Sequence, residues 1–145
     1  MSVPFRFDTV LKIRETERDV KRQALALEQA REAAVRAEHN RLVEERRLAL
    51  DELRTLQATN GWTAEQATAR QQYAEQLATE LVTAEAVLNE SVVQSTRQRQ
   101  ELLEAEAAVK ALEKLAERHD TVQTRAGHIQ DERDRDDIRR SGWAA

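Results

Sequence analysis

Three histidines, His39, His119 and His128, are the residues of this chain best suited to bind a metal or carry a proton. None has another histidine three or four residues away, and no HExxH motif occurs, so their spacing does not build a zinc site. The three glycines are scattered and form no phosphate-binding loop, and there is no cysteine for a thiolate or a disulfide. We therefore expect no catalytic residue, no metal and no cofactor, and the chain is predicted not to be an enzyme.

The composition is typical of long helices: charged residues make up 34% of the chain and aromatic residues only 3%. Between Phe5 and Asp120 the only glycine or proline is Gly61. Asn60 and Gly61 can both terminate a helix, and Thr63 with Gln66 fits a capping box that starts another. A turn this short brings two helices together antiparallel.

The sequence therefore predicts an all-α fold, a long antiparallel two-helix coiled-coil hairpin that forms one domain. Helix 1 is expected over about 5–58, or from a cap at Asp8 or Thr9. The turn is expected at 59–62 and helix 2 over about 63–126 or beyond. A charged, frayed tail is predicted over about 127–145, with a break at Gly127.

Small and apolar residues recur every seven positions on both helices and predict the seam between them. On helix 1 the predicted stripe is Ile13, Val20, Leu27 and Ala34, followed after a one-residue slip by Val35, Leu42, Ala49 and Leu56. Helix 2 has two such registers: Ala74, Leu81, Leu88, Ser95, Leu102, Val109 and Ala116, and Leu77, Ala84, Ser91, Gln98, Ala105 and Leu112. Folding about Gly61 pairs residues whose numbers sum to about 122, such as Val20 with Leu102 and Ile13 with Val109.

Ser91, Ser95 and Gln98 place polar side chains on this seam, opposite the region of Leu27. One interpretation is a weak layer that the hairpin tolerates. The other is a layer that sets the register of the two helices, as buried polar residues do in coiled coils.

Charge and hydropathy exclude several classes of partner and location. The net charge is −4, and neither half has the basic excess of a nucleic-acid binder. No apolar run is long enough for a signal peptide or a transmembrane helix, so a cytoplasmic protein is expected. Tyr73 is the one aromatic residue on the polar stretch after the turn. It is expected either to anchor a protein contact or to pack near the turn.

Three segments, in order along the chain, carry a resemblance to a known family. The chain opens with Phe5-Arg6-Phe7-Asp8-Thr9-Val10-Leu11-Lys12-Ile13-Arg14-Glu15. Early in helix 2 the chain has Gln71-Gln72-Tyr73 and Leu77. Its C-terminal part has Leu112-Glu113-Lys114-Leu115-Ala116-Glu117-Arg118, followed by Asp136-Asp137-Ile138. In these segments the chain resembles the FliJ family, the soluble coiled-coil components of the bacterial flagellar type III export apparatus.

The resemblance implies an antiparallel coiled coil similar to the central stalk of rotary ATPases. It implies binding to the export ATPase FliI, to the export gate protein FlhA and to export chaperones, peripheral to the inner membrane at the flagellar base. The gate contact would fall on Tyr73, Leu77, Gln71 and Gln72. The ATPase contact would fall on Phe5, Phe7, Val10, Leu11, Glu113, Lys114 and Glu117.

Two other functions stay open at this stage. One is the equivalent stalk protein of a virulence-type type III secretion system, although the F-x-F start favours the flagellar branch. The other is a generic coiled-coil scaffold with the hairpin opened into a parallel rod. The turn and the capping box argue against that rod, because a continuous rod needs neither.

Overall fold

The computed structural model describes residues 4–143, and within them the chain forms two helices joined by a short turn. Helix α1 is Asp8–Ala58, with 51 residues, and helix α2 is Ala64–Trp143, with 80 residues. The two helices pack against each other and the described residues contain no strand. The predicted all-α helical hairpin is confirmed.

Helix α1 begins at the later of the starts that the sequence allowed. Pro4 and Phe5 precede it without helical structure, and a tight turn is closed by the Asp8 N–H donating to the Phe5 carbonyl at 3.2 Å. Asp8 then lies in the first helical turn, where a negative charge is favoured by the helix dipole. Lys12 pairs with it at 3.3 Å.

The turn between the helices has the predicted chemistry. Gly61 has a φ of 91°, a left-handed conformation that residues with a Cβ rarely adopt. The Thr63 N–H donates to Gln66 Oε1 at 3.1 Å, and the Gln66 N–H donates to Thr63 Oγ1 at 3.2 Å. The predicted capping box is thus confirmed, and it satisfies two N–H groups that the start of α2 would otherwise leave unpaired.

Helix α2 continues through Gly127 to Trp143, so the predicted break at Gly127 is wrong. A single glycine costs a helix only about 1 kcal/mol relative to alanine, and its neighbours here favour the helix. One of the stabilising contacts beyond it is between Gln130 Nε2 and Asp134 Oδ1, at 2.9 Å one helical turn apart. The segment predicted as a frayed tail is therefore helical as far as Trp143, while Ala144, Ala145 and the opening residues 1–3 lie outside the described residues.

Internal packing divides the chain into two compact units. The terminal unit combines the chain up to Lys21 with the chain from Glu101 onward, and the turn unit is Arg22–Gln100. Each unit contains a part of both helices. The single-domain organisation stays a prediction.

The seam of α2 agrees with the sequence pattern. Every position of its two predicted registers, from Ala74 to Ala116, is buried or half-buried. In the turn unit Leu42, Ala49, Ala74 and Leu77 form a buried cluster, against which Leu50, Leu81 and Ala84 pack. In the terminal unit Val109 is the most deeply buried of the apolar core residues, with 2% of its surface exposed.

The predicted seam of α1 is right in its second half and wrong in its first. Val35, Leu42, Ala49 and Leu56 are buried or half-buried, but Ile13, Val20 and Leu27 are 52%, 56% and 73% exposed. Ala34 is also exposed. The buried stripe has no slip, and its N-terminal positions are Leu11, Arg18, Lys21, Leu25, Glu28, Glu32 and His39. Hydrophobicity misled the prediction because long charged side chains can cover a seam with their apolar stems.

Two ion pairs between the helices confirm the predicted pairing of residue numbers. In the terminal unit Lys21 Nζ lies 2.8 Å from Glu101 Oε2. In the turn unit an Arg70 guanidinium nitrogen lies 3.4 Å from Glu52 Oε2. Both pairs sum to 122, so the antiparallel register is as predicted, although Val20 and Ile13 themselves face away from α2.

The exposed side of α1 carries ion pairs between successive helical turns. Arg41 pairs with Glu38 and Glu45, and Arg47 pairs with Glu44 and Asp51. Hydrogen bonds from Arg41 and Arg47 lower the pKa of Glu38 and Glu44 below their ordinary values. These contacts support a helix that has a neighbour on one side only.

The corrected stripe can be tested with two leucines of α1. Leu42→Ala removes a side chain that is 4% exposed and should lower the free energy of unfolding by about 2 kcal/mol or more. Leu27→Ala, at a 73% exposed position, should change it by less than about 0.5 kcal/mol. Thermal unfolding, monitored by circular dichroism, compares the two variants. Equal losses of unfolding free energy would show that Leu27 belongs to the seam.

The two internal glycines should respond oppositely to alanine. Gly61→Ala forces a Cβ into the left-handed region and should destabilise the chain by about 1–2 kcal/mol. Gly127→Ala lies within α2, its new Cβ meets no atom within 4 Å, and it should stabilise the helix by about 0.8–1.0 kcal/mol. Urea unfolding measures both, and a destabilised Gly127→Ala would show that α2 is not continuous there.

Candidate functional site

The structure does not gather its histidines into a reactive site. His39 is half-buried on the α1 seam, His119 is half-buried on α2, and His128 is exposed. Across residues 4–143 no group of three or more His, Cys, Asp or Glu side chains could hold a metal ion. Four grooves beside the helices, in the part of the chain that the structure describes, have volumes of about 350, 200, 360 and 360 Å³.

The first candidate surface is an aromatic cluster in the terminal unit, formed by Phe5, Phe7 and His119. The Phe5 and Phe7 rings meet edge to face with their centroids 5.9 Å apart, and the Phe5 ring lies 5.7 Å from the His119 imidazole. The Arg6 guanidinium stands 5.4 Å from the centre of the Phe7 ring. The contact between Phe5 and His119 fixes the segment before α1 onto α2.

The predicted ATPase residues fall into two groups around this cluster. Phe5 and Leu11 are half-buried and hold the segment in place, whereas Phe7 and Val10 are 38% and 39% exposed. On α2 the charged residues of the prediction are all exposed: Glu113, Lys114 and Glu117. The structure therefore brings the N-terminal and the C-terminal residues of the prediction into one unit, with apolar side chains from one helix and charges from the other.

His119 is a member of this cluster that the sequence prediction missed. The signal was available: His119 lies seven residues after Leu112 and so continues the buried register of α2. An imidazole at the end of that register has Phe5 as its packing partner.

The second candidate surface lies on α2 close to the turn. Tyr73 is 48% exposed, and Gln71 and Gln72 are also exposed. Leu77 is only 3% exposed and belongs to the buried cluster with Leu42 and Ala49, so it holds the hairpin together rather than offering a contact surface. Successive residues of a helix point about 100° apart, so Gln71, Gln72 and Tyr73 do not share one face.

The surroundings of Tyr73 include features that the sequence did not single out. Arg70, one helical turn before it, pairs with Glu52 of α1. Arg70 also lines a groove of about 350 Å³ whose apolar side chains are Leu48 and Leu56. Leu48 is 47% exposed. Both helices therefore contribute to the groove that Arg70 lines, one helical turn before Tyr73.

The third feature is a polar layer in the seam of the turn unit, formed by Glu28, Glu32, Ser91, Ser95 and Gln98. Ser91 and Ser95 are 6% and 2% exposed, and Gln98 is half-buried. They lie opposite the region of Leu27, as predicted, but the α1 side chains beside the serines are Glu28 and Glu32, whereas Leu27 itself is exposed. Glu28 would have been found by extending the register of Val35 and Leu42 back by seven residues.

Hydrogen bonding in this layer is incomplete. Buried oxygens without a hydrogen-bond partner are Glu28 Oε2, Ser91 Oγ, Ser95 Oγ and Gln98 Oε1. A cavity of about 200 Å³ borders the layer, lined in part by Glu28, Val35, Val87 and Ser91.

The Glu32 carboxylate is stabilised in its charged form. The Ser95 hydroxyl lies against it, without the geometry of a full hydrogen bond, and Arg36 pairs with it at 3.1 Å. These two groups, Ser95 first, lower the pKa of Glu32 below its ordinary value. Glu32 is therefore charged at neutral pH.

The fold and these surfaces define a class: a two-helix coiled-coil protein whose distinctive features are contact surfaces along its helices. Comparison with protein families shows which family of coiled-coil proteins this chain belongs to. The flagellar FliJ protein family matches residues 2–145, nearly the whole chain, and the chain belongs to that family. The family is a non-enzymatic component of flagellar export, a form of type III secretion.

Searches among curated proteins and among solved structures each gave no significant match. Among the described residues no helix is both long and apolar enough to span a membrane.

Proposed function

We propose that this chain is a non-enzymatic stalk of the flagellar type III export apparatus. It binds the export ATPase FliI within its ring, links that ring to the export gate protein FlhA, and interacts with export chaperones. It works in the cytoplasm and reaches the inner membrane at the flagellar base only through these partners.

The observation that carries the proposal is the composition of the terminal unit. Phe5 packs on His119, and this contact holds the exposed Phe7 and Val10 in the same unit as Glu113, Lys114 and Glu117. Exposed aromatic and apolar side chains with charges around them are typical of the anchors and rim of a protein interface. Such a surface suits contact with the ATPase.

The gate contact is assigned to the surface around Tyr73. Tyr73 is an exposed aromatic residue on an otherwise polar stretch of α2, with Gln71 and Gln72 beside it. Leu77 contributes by packing under this part of α2, because it is buried against α1. The gate residues belong to the turn unit and the ATPase residues to the terminal unit, so each surface can be altered separately.

The ATPase contact is tested by hydrolysis of ATP by the cognate export ATPase, with and without this chain. The intact chain should bind, promote hexamer formation and stimulate hydrolysis. Phe7→Ala combined with Val10→Ala should weaken binding about tenfold, since an interface anchor contributes about 1–2 kcal/mol. Both side chains are more than a third exposed, so helicity should be unchanged.

Val93→Ala is the matched control, because Val93 is a 57% exposed valine of the turn unit. It should stimulate hydrolysis like the unaltered chain. Full stimulation by the Phe7/Val10 variant would remove the ATPase contact from the N-terminal cluster. An intact chain that neither binds nor stimulates would overturn the stalk function itself.

The gate contact is tested by binding of the cytoplasmic part of the cognate FlhA. Tyr73→Ala should weaken binding about tenfold while leaving helicity intact, because Tyr73 is 48% exposed. Val82→Ala serves as control: Val82 is 69% exposed and lies on the opposite side of α2, about 180° around the helix. Equal affinities for the two variants would place the gate contact elsewhere.

A further inference from the structure

The seam charges of the turn unit all lie on one helix. Along α2 the seam positions from Ala74 to Gln98 are uncharged. On α1 the seam carries two carboxylates, Glu28 and Glu32, whose side chains are 19% and 22% exposed. The two helices therefore present different surfaces to whatever packs against them.

In the hairpin the buried α2 residues beside the two carboxylates are small and neutral: Ser91 beside Glu28 and Ser95 beside Glu32. Ser91 and Ser95 leave room for the glutamate side chains and offer hydroxyls at 6% and 2% exposure. Arginines of α1 lie beside the same carboxylates: Arg31 is 3.3 Å from Glu28, and Arg36 is 3.1 Å from Glu32. From α2, Glu90 lines the cavity beside Glu28 but is exposed rather than part of the seam. After Ser95 and Arg36, the positive charge of Arg99 helps to lower the pKa of Glu32.

A different neighbour would change this balance. When two identical helices pair in parallel, each seam residue faces its own copy. A pair of α1 helices would place Glu28 opposite Glu28 and Glu32 opposite Glu32, with no hydroxyl between the like charges. The adjoining seam residues Leu25, Val35 and Leu42 would otherwise suit such a pair, since they are apolar and recur at coiled-coil spacing.

We propose that Glu28 and Glu32 confine α1 to pairing with α2 and prevent it from pairing with the α1 helix of a second copy. The turn alone does not prevent such a dimer, because it only connects α1 to α2. When the hairpin opens, the seam residues of α1 decide whether it pairs with α2 or with a second α1. Burying polar side chains in the seam costs stability compared with an apolar layer, as it does for the buried polar residues that set the pairing of coiled coils. The inference stands on the seam alone and is independent of the proposed export function.

The test uses a cysteine as a reporter, since the chain has none of its own. Residue 35 lies seven positions after Glu28 on the same register, so in a parallel pair of α1 helices two copies of Val35→Cys face each other. In the hairpin residue 35 faces α2, where Val87 and Ser91 line the same cavity. Disulfide-linked dimer after mild oxidation therefore measures pairing between α1 helices, and light scattering gives the mass before oxidation.

The variant carries Glu28→Leu and Glu32→Leu together with Val35→Cys. We expect at least about tenfold more cross-linked dimer than with Val35→Cys alone, an equilibrium change of about 1.4 kcal/mol. The matched control carries Glu38→Leu and Glu44→Leu instead. Those glutamates are 53% and 57% exposed on the same helix, so the control adds the same apolar surface outside the seam and should stay monomeric.

A second seam variant carries Glu28→Gln and Glu32→Gln together with Val35→Cys. It removes the two charges and keeps the side-chain shape, so it measures α1 pairing even if the leucine variant does not fold. It should also cross-link more than Val35→Cys alone. Equal cross-linking in the seam variants and the control, or monomers throughout, would overturn the proposal. The polar layer would then be a weak point that the hairpin merely tolerates.

Discussion

Each helix of this hairpin has one neighbour, so a single narrow seam supplies most of the apolar burial available to either helix. Leu42, Ala49, Ala74 and Leu77 show how thin that core is, since two of its four members are alanines. Such a seam holds two long helices only when they stay in register. The left-handed Gly61 and the capping box of Thr63 and Gln66 fix that register at the turn.

The same constraint explains why polar contacts are so frequent. A helix with one neighbour exposes most of its surface. On α1 this exposed surface is stabilised by ion pairs between successive turns, such as Arg41 with Glu38. Lys21 with Glu101 and Glu52 with Arg70 extend the ion pairing across the seam edge within each unit. Glu28 and Glu32 go further, because they occupy the seam itself, and the serines opposite make that placement possible.

Sequence periodicity predicted the hairpin, its pairing of residue numbers and the whole α2 seam, because α2 has uncharged residues at nearly every buried position. It failed on the first half of α1, where Ile13, Val20 and Leu27 are more hydrophobic than the true seam residues Arg18, Glu28 and Glu32. Periodicity placed Leu77 correctly on the seam, whereas the family motif offered it as a contact residue although it is buried. The sequence also contained no sign of the contact of His119 with Phe5, because the two rings lie far apart in sequence. Burial in the seam and contacts between distant residues depend on how the two helices pair, so they cannot be read from one stretch of sequence.

The proposed selectivity of the seam bears on how the chain works. Its candidate contacts are exposed side chains on the outside of the hairpin: Phe7 and Val10 in the terminal unit and Tyr73 in the turn unit. Those side chains stay available only while both helices keep their apolar stripes turned toward each other. A second copy pairing through α1 would displace α2 and dismantle the surfaces that depend on it, including the contact of Phe5 with His119. On the proposed selectivity, Glu28 and Glu32 therefore protect the contacts proposed for Phe7, Val10 and Tyr73 by keeping α1 paired with α2.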